Sequence, residues 1–350
     1  MTRQSRSLSP GAPQRTLRAN DRADARPRGR KHMRLATIVL AVCLGTGSAL
    51  AADLNCSQVK LVVPYPAAGA TDVATRIVAE RLEAAIKKTV FVENRAGATG
   101  NIGTSVVVGA EPNGCTLLVN ATVIATFPTS FSKLKYDPFK DLAPVGGVGI
   151  TPSLILVAPS IPASDVKSLV ALSKQREKGI TYAVAGYGLQ QHLATEEIAQ
   201  RSGAKFVIVP YKGGGAAMTD LIAARVEFGT FLAGTSKGLV QEGKLKALAV
   251  VQDKRSDLMP NVPTTAEQGF PGLIGGVHFM LFAPAATPKA TIAYLSGELR
   301  KAIGDPALKQ RFLNVGFEPT PMSPEEVTAA MRQTTDAYAP IIKRLNITLD

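Results

Sequence analysis

From about residue 59 onward, short runs of β-branched and aliphatic residues alternate with amphipathic stretches. That alternation predicts strands and helices wound into a parallel α/β arrangement. Lys60 to Pro64 reads as a buried strand, and Tyr65 to Ala70 turns the chain into a helix from near Thr71 whose apolar face carries Ile77, Val78, Leu82 and Ile86. Val90 to Val92 is the next strand, Gly97 to Gly103 the next turn, and Thr116 to Val119 a third strand, with the order 2-1-3 expected of a wound unit. A Pro- and Gly-rich crossing region follows from Pro138 to Pro162, with the strand Leu154 to Val157 inside it. The pattern then restarts: helix Asp165 to Lys178, strand Thr181 to Val184, turn Ala185 to Gln190, helix to about Arg201, and strand Phe206 to Val209. The turn Tyr211 to Gly215 opens another helix, followed by strands near Val226 to Phe231 and Leu245 to Val251. Phe279 to Phe282 reads as a strand leading back, and the remainder is largely helical. The expected architecture is two α/β lobes, 53–155 and 156–278, with 279–350 returning to the first lobe and a ligand cleft between them.

With 350 residues, 45% of them hydrophobic, the chain has enough apolar material for two domains. A formal charge of +13 raises nucleic acid as a partner, but ten of the Lys and Arg residues fall within residues 1–34, against only Asp21 and Asp24. The rest carries only about +5, so no nucleic-acid partner is expected. Directly after the basic stretch, Leu35 to Leu44 reads LATIVLAVCL and small residues lead to Ala49-Leu50-Ala51. Basic, apolar, then small is the order of a secretory signal peptide, and the apolar core is shorter than the roughly 20 residues a spanning helix needs. Residues 1–52 are therefore read as a leader, with Met33 as an alternative start and the periplasm as the destination. Cys56 and Cys115 remain, an even count for an oxidising compartment. In the order 2-1-3 they fall at the same end of neighbouring strands, and a bond between them requires Cα atoms within about 7 Å.

Three strand-to-helix turns are built from small residues: Ala68 to Asp72, Ala185 to Gln190, and Lys212 to Gly215. Such turns expose backbone N–H groups and the positive end of a helix dipole, which suits an anion. Glycine also serves tight turns without a ligand, Asp72 fits a first helical turn for dipole reasons alone, and a lone His192 is commonly structural. Neither the Tyr65 to Asp72 loop nor the Gly186 to His192 turn carries Arg or Lys, so a carboxylate there rests on amides, hydroxyls and water. Valine at Gly69 or Gly188 is then expected to abolish binding with little effect on the empty protein's stability. No metal or cofactor is expected: three histidines without ligand spacing, and no phosphate-binding or dinucleotide fingerprint. Gly234-Thr235-Ser236-Lys237-Gly238 matches a nucleophile elbow, with Asp257 and His278 following in hydrolase order. Only about forty residues separate Ser236 from His278, too few for that fold's intervening elements, and no enzymatic activity is expected.

The segments Val63–Asp72 (VPYPAAGATD), Val92–Gly103 (VENRAGATGNIG) and Pro112–Leu118 (PNGCTLL) resemble the Bug (TctC-type) solute-binding proteins of tripartite tricarboxylate transporters. The resemblance continues in order through VPYKG from Val209, GKLKALAV from Gly243, PTTAEQG from Pro263 and APAATP from Ala283. It implies a two-lobed type II periplasmic binding protein fold that closes on a small organic carboxylate, often through water, and hands it to membrane permease subunits. Family ligand contacts map onto Tyr65, Gly69, Ala70, Thr71 and Asp72, and onto Gly186, Tyr187, Gly188, Leu189, Gln190 and His192; Tyr211 joins them as a candidate. The family usually has Gly at the positions of Ala68 and Thr99 and Tyr at Cys115, so Ala68 is expected to add a methyl group at the pocket wall. A monomer is expected. The alternatives are a periplasmic hydrolase using Ser236 and a ligand sensor for a membrane signalling protein.

Overall fold

The structure, a computed structural model, describes residues 54–211 and 213–349. The leader, Met33, the apolar core Leu35 to Leu44, the cleavage region near Ala51, and Lys212 lie outside the described residues.

Strand β1 (Gln58–Val63), helix α1 (Ala70–Ile86), strand β2 (Thr89–Asn94), helix α2 (Asn101–Val108) and strand β3 (Thr116–Ala121) form a parallel unit in the order β2-β1-β3. Leu61, Val62 and Val63 are apolar in succession because β1 lies between two strands with both faces covered. After the short helix α3 (Phe127–Ser130), strand β4 (Leu142–Thr151) runs on the far side of the same sheet. At Pro152 the chain changes sheets.

The second sheet contains β5 (Ser153–Val157), β6 (Ile180–Val184), β7 (Phe206–Pro210), β8 (Phe228–Leu232) and β9 (Lys246–Val250), ordered β7-β6-β8-β5-β9. Its helices are α4 (Val166–Gln175), α5 (Gln190–Ser202), α6 (Gly214–Ile222) and α7 (Ala233–Gln241). Through Gly275 and Gly276 the chain returns to the first sheet as β10 (Val277–Pro284), antiparallel between β3 and β4. Helices α8 (Lys289–Ile303) and α9 (Pro306–Asn314), the two-residue strand β11 (Glu318–Pro319) and helix α10 (Pro324–Arg344) complete the fold. No helix among the described residues is long and apolar enough to cross a membrane.

Among the elements that differ from the sequence expectation are a strand and a helix. The ten-residue strand β4 occupies what composition marks as part of the crossing region, because Gly146, Gly147 and Gly149 dilute its apolar pattern. They are there for close approach: a Cβ on Gly147 would stand 2.2 Å from the carbonyl oxygen of Thr320, and one on Gly149 2.9 Å from that of Glu318. Helix α4 stops at Gln175 rather than Lys178, since Arg176 is already extended.

Cys56 and Cys115 form a disulfide with Cα atoms 6.3 Å apart. The register explains it: Lys60 is opposite Thr116, and the Lys60 N–H donates to the Cys115 carbonyl, so both cysteines sit at the amino end of the β1–β3 pair.

The other two departures from the family pattern share a backbone feature. Ala68 and Thr99 adopt left-handed conformations, with φ of 63° and 53°. Such a conformation costs an L-residue roughly 1–2 kcal/mol, partly offset in glycine by its larger loss of chain entropy. Ala68→Gly and Thr99→Gly are each expected to stabilise the fold by about 0.5–1 kcal/mol, measured by urea denaturation.

His278 on β10 gives the fold a pH dependence. Its Nδ1 is buried without a hydrogen-bond partner, and burial pushes the imidazole down to about 4. The folded protein keeps this ring neutral while the unfolded chain protonates it below an ordinary value near 6.5. The sign is therefore fixed: stability is retained above about pH 6.5 and falls as the pH drops toward 4, and His278→Gln is expected to flatten that slope in denaturation at stepped pH.

Candidate functional site

Each lobe has one point where successive parallel strands are laid down in opposite directions. In the first lobe it lies between β1 and β3, in the second between β6 and β8. The two helices following such a point leave on opposite faces, and a crevice opens beyond the carboxyl ends of the strands. Tyr65 and Ala121 mark these ends in one lobe, Ala185 and Leu232 in the other.

A cavity of about 210 Å³ bridges the lobes, lined by Tyr65, Thr71 and Ala121 on one side and by Leu189, Gln190 and Leu232 on the other. Thr99, Val123, Gln191, and Val277 and Phe279 of β10 complete it. Both flanking helices begin without a side-chain cap, at Gly69 for α1 and at Leu189 for α5. The first intrahelical bonds run from Val73 N–H to the Gly69 carbonyl and from Leu193 N–H to the Leu189 carbonyl. The preceding amides of each first turn stand outside the helix's own hydrogen bonding, with the positive dipole end behind them.

Gln190 connects the lobes. Its side chain is 2% exposed, and its Nε2 donates to Thr122 Oγ1 at 3.4 Å and to the Gly276 carbonyl at 3.3 Å. A carbonyl only accepts, so this contact fixes which end of the amide is nitrogen. Oε1 is then left buried without a partner, an acceptor that calls for a donor from solvent or ligand.

Tyr65 is held from behind by a chain of buried polar groups. Its hydroxyl donates to Asn120 Oδ1 at 2.8 Å, Asn120 Nδ2 donates to Thr104 Oγ1, and Thr104 donates to the Gly100 carbonyl. Burial keeps the phenol un-ionised. Asp72 is fully engaged within its own loop: Oδ2 accepts from Ala68 N–H at 2.9 Å and Arg76 Nε at 3.1 Å, and Oδ1 accepts from Asn94 Nδ2 at 3.1 Å. Burial alone would raise its carboxyl, but Arg76, the Ala68 amide and Asn94 outweigh it and hold the group ionised below the usual range. Asp72 thus shapes the loop that presents Gly69 and Thr71. Ala68, expected at the pocket wall, instead has an exposed side chain outside the cavity lining; its N–H is what matters, tied to Asp72.

A second cavity of about 220 Å³ lies within the second lobe, at the β6–β8 crevice, lined by Ala185, Gly186, His192, Thr230, Phe231 and Thr235. Leu189, Gln191 and Leu232 line both cavities, so the two adjoin. His192 Nδ1 accepts the Gly188 N–H at 3.1 Å, which puts the proton of the neutral ring on Nε2. Burial lowers its basicity against the opposing pull of Glu196. The Tyr187 ring meets it edge-on at 5.4 Å. His192 and Tyr187 therefore set the shape of the turn rather than supply charge.

Of the sequence candidates, Tyr65, Thr71, Leu189 and Gln190 line the inter-lobe cavity, and Gly186, Leu189 and His192 line its neighbour. Gly69 and Ala70 stand at the start of α1, while Tyr211 bonds Asp220 and belongs to neither lining. Gly188, with φ of 71°, faces away toward the C-terminal tail, where a Cβ would meet Ile347 at 3.1 Å. That corrects the expectation that valine there spares stability. Sequence reasoning missed Thr99, Ala121, Val123, Gln191, Val277 and Phe279. The switch-point rule applied to the end of β3, and the alternation along β10, are the signals that would have found Ala121, Val277 and Phe279. Ser236 is buried in α7, its hydroxyl donating to the Leu232 carbonyl, and Asp257 pairs with Lys309.

The sequence profile described as the tripartite tricarboxylate transporter family receptor, TctC, matches residues 74–347. The chain is 30% identical over 287 residues to protein BugT of Bordetella pertussis, covering 81% of this chain and 88% of that one. Among solved structures, the periplasmic binding protein BugD is 31% identical with a TM-score of 0.67, the match covering 83% of this chain and 98% of that one. The R. palustris protein Rpa4515, solved with adipate, is 29% identical with a TM-score of 0.70 over the same shares.

Proposed function

The chain belongs to the tripartite tricarboxylate transporter receptor family, and from that membership we propose that it captures a small organic carboxylate between its lobes and delivers it to permease subunits of such a transporter. The protein is a solute-binding protein of periplasmic type. Export by the leader, a monomeric state, and a site formed by the Tyr65 to Asp72 loop and the Gly186 to His192 turn are parts of the same reading.

The single observation that supports the site is the inter-lobe cavity flanked by two uncapped helix starts, with Gln190 in its lining. Two sets of free amides converging from opposite lobes hold an anion without any Arg or Lys, and the arrangement is complete only when the lobes are together. A solved relative that holds adipate supports a carboxylate as the anion. The test is isothermal calorimetry of the mature chain against a panel of carboxylic acids and their primary amides. Saturable one-to-one binding of at least one acid, lost in its amide, is expected; no binding by any acid would remove the proposal.

A further inference from the structure

We propose that the cavity inside the second lobe receives the apolar body of the ligand, so that the preferred ligand is a monocarboxylate bearing an alkyl chain or aromatic ring of about six carbons. This rests on the carboxylate reading of the inter-lobe site and extends it from the anionic end to the remainder of the molecule.

The two cavities share Leu189, Gln191 and Leu232, so an acid anchored between the helix starts has the second cavity directly beside it. That cavity offers a substituent almost nothing polar. Ala183, Val184, Ala185 and Phe231 supply apolar walls, and most of the polar side chains are engaged by neighbouring groups, the His192 Nε2–H being left as a neutral donor. Thr230 and Thr195 share a hydrogen bond at 2.8 Å, Thr235 donates to the Leu232 carbonyl, His192 Nδ1 is taken by the Gly188 amide, and Gln191 Nε2 donates to Ser153 at 3.4 Å. Among the described residues no Lys or Arg lines it, and His192 is held neutral by burial. A second carboxylate buried here would find no compensating cation among those residues, which is far costlier than burying carbon. Helix starts without side-chain caps border the cavity at Leu189 of α5, Gly214 of α6 and Leu232 of α7. None of them adds a charged side chain to the described lining, and the walls between them are apolar. Size agrees with the assignment: an apolar cavity of about 150 Å³ accommodates benzene, and this one is about 220 Å³.

The test is calorimetry of the full mature chain at pH 7 with butanoate, hexanoate, 3-phenylpropanoate, succinate and adipate. Hexanoate is expected to bind about tenfold more tightly than butanoate, following the gain per buried methylene, and adipate at least tenfold more weakly than hexanoate. Ala185→Leu, which fills the second cavity alone, is expected to weaken hexanoate and 3-phenylpropanoate more than tenfold and butanoate less than threefold. Thr235 is exposed at the rim, so Thr235→Arg keeps the core intact. It is expected to raise the ratio of adipate to hexanoate affinity severalfold, even if Ala185→Leu fails to fold. Tighter binding of succinate or adipate than of hexanoate by the unmodified chain, still blocked by Gly69→Val, would overturn the apolar subsite and leave the inter-lobe site standing. Binding of none of the acids would overturn both.

Discussion

Gly69→Val is expected to weaken carboxylate binding more than a hundredfold while leaving thermal unfolding of the empty protein within a few degrees of the parent. Gly69 is the residue before the first turn of α1, with φ −71° and ψ 162°, a conformation open to any L-residue. A Cβ there would find only the Pro66 carbonyl oxygen, at 3.3 Å, so the loop can carry the branch. A side chain at this position lies against the first-turn amides, the same groups that must face the anion. Gly188→Val should behave differently. Its φ of 71° costs an L-residue roughly 1–2 kcal/mol, and the added carbons press on Ile347 and Leu349 of the C-terminal tail. That tail is tied to the first lobe by the Leu349 N–H to Ser130 carbonyl bond, so the damage reaches across both lobes. Calorimetry paired with thermal denaturation separates the two: Gly69→Val loses binding alone, and Gly188→Val loses stability as well.

The second large effect is expected from the disulfide. Replacing Cys56 and Cys115 together by Ser opens a cross-link between residues 59 apart in sequence. The loop-entropy relation puts its contribution near 4 kcal/mol, an upper figure because it treats the reduced chain as fully unfolded. For a body of about 300 residues this corresponds to a fall in melting temperature of roughly 6 °C. The bond pins the amino ends of β1 and β3, whose carboxyl ends carry Tyr65 and Ala121 into the site. Binding affinity is nonetheless expected to survive at low temperature, because the strand pairing itself holds those ends in register. Differential scanning calorimetry and ligand titration of the double variant check both parts.

Much of this architecture was legible because its signals are local. The strand runs at Lys60 and Thr181, and the small-residue turns after them, follow directly from periodicity and glycine placement, and both turns of the candidate site stand out that way. β4 was not legible, since its glycines answer to a carbonyl row some 170 residues later in the chain, at Glu318 and Thr320. The same limit applied inside the site. Tyr65 and Gln190 stand in the turns that sequence singled out, but Val277 and Phe279 reach the cavity only because β10 crosses back between β3 and β4. Asp72 showed the converse. Its position in a first helical turn was readable, whereas its engagement by Ala68, Arg76 and Asn94 depends on how the loop folds onto β2.

The most direct test of the central claim is a mass spectrum of the small molecules released when the protein, purified under native conditions from its own host, is denatured. A carboxylic acid present at close to one equivalent, and absent from a Gly69→Val preparation handled identically, is the predicted result. Release of no acid, or of the same acid in equal amount from both preparations, would contradict it.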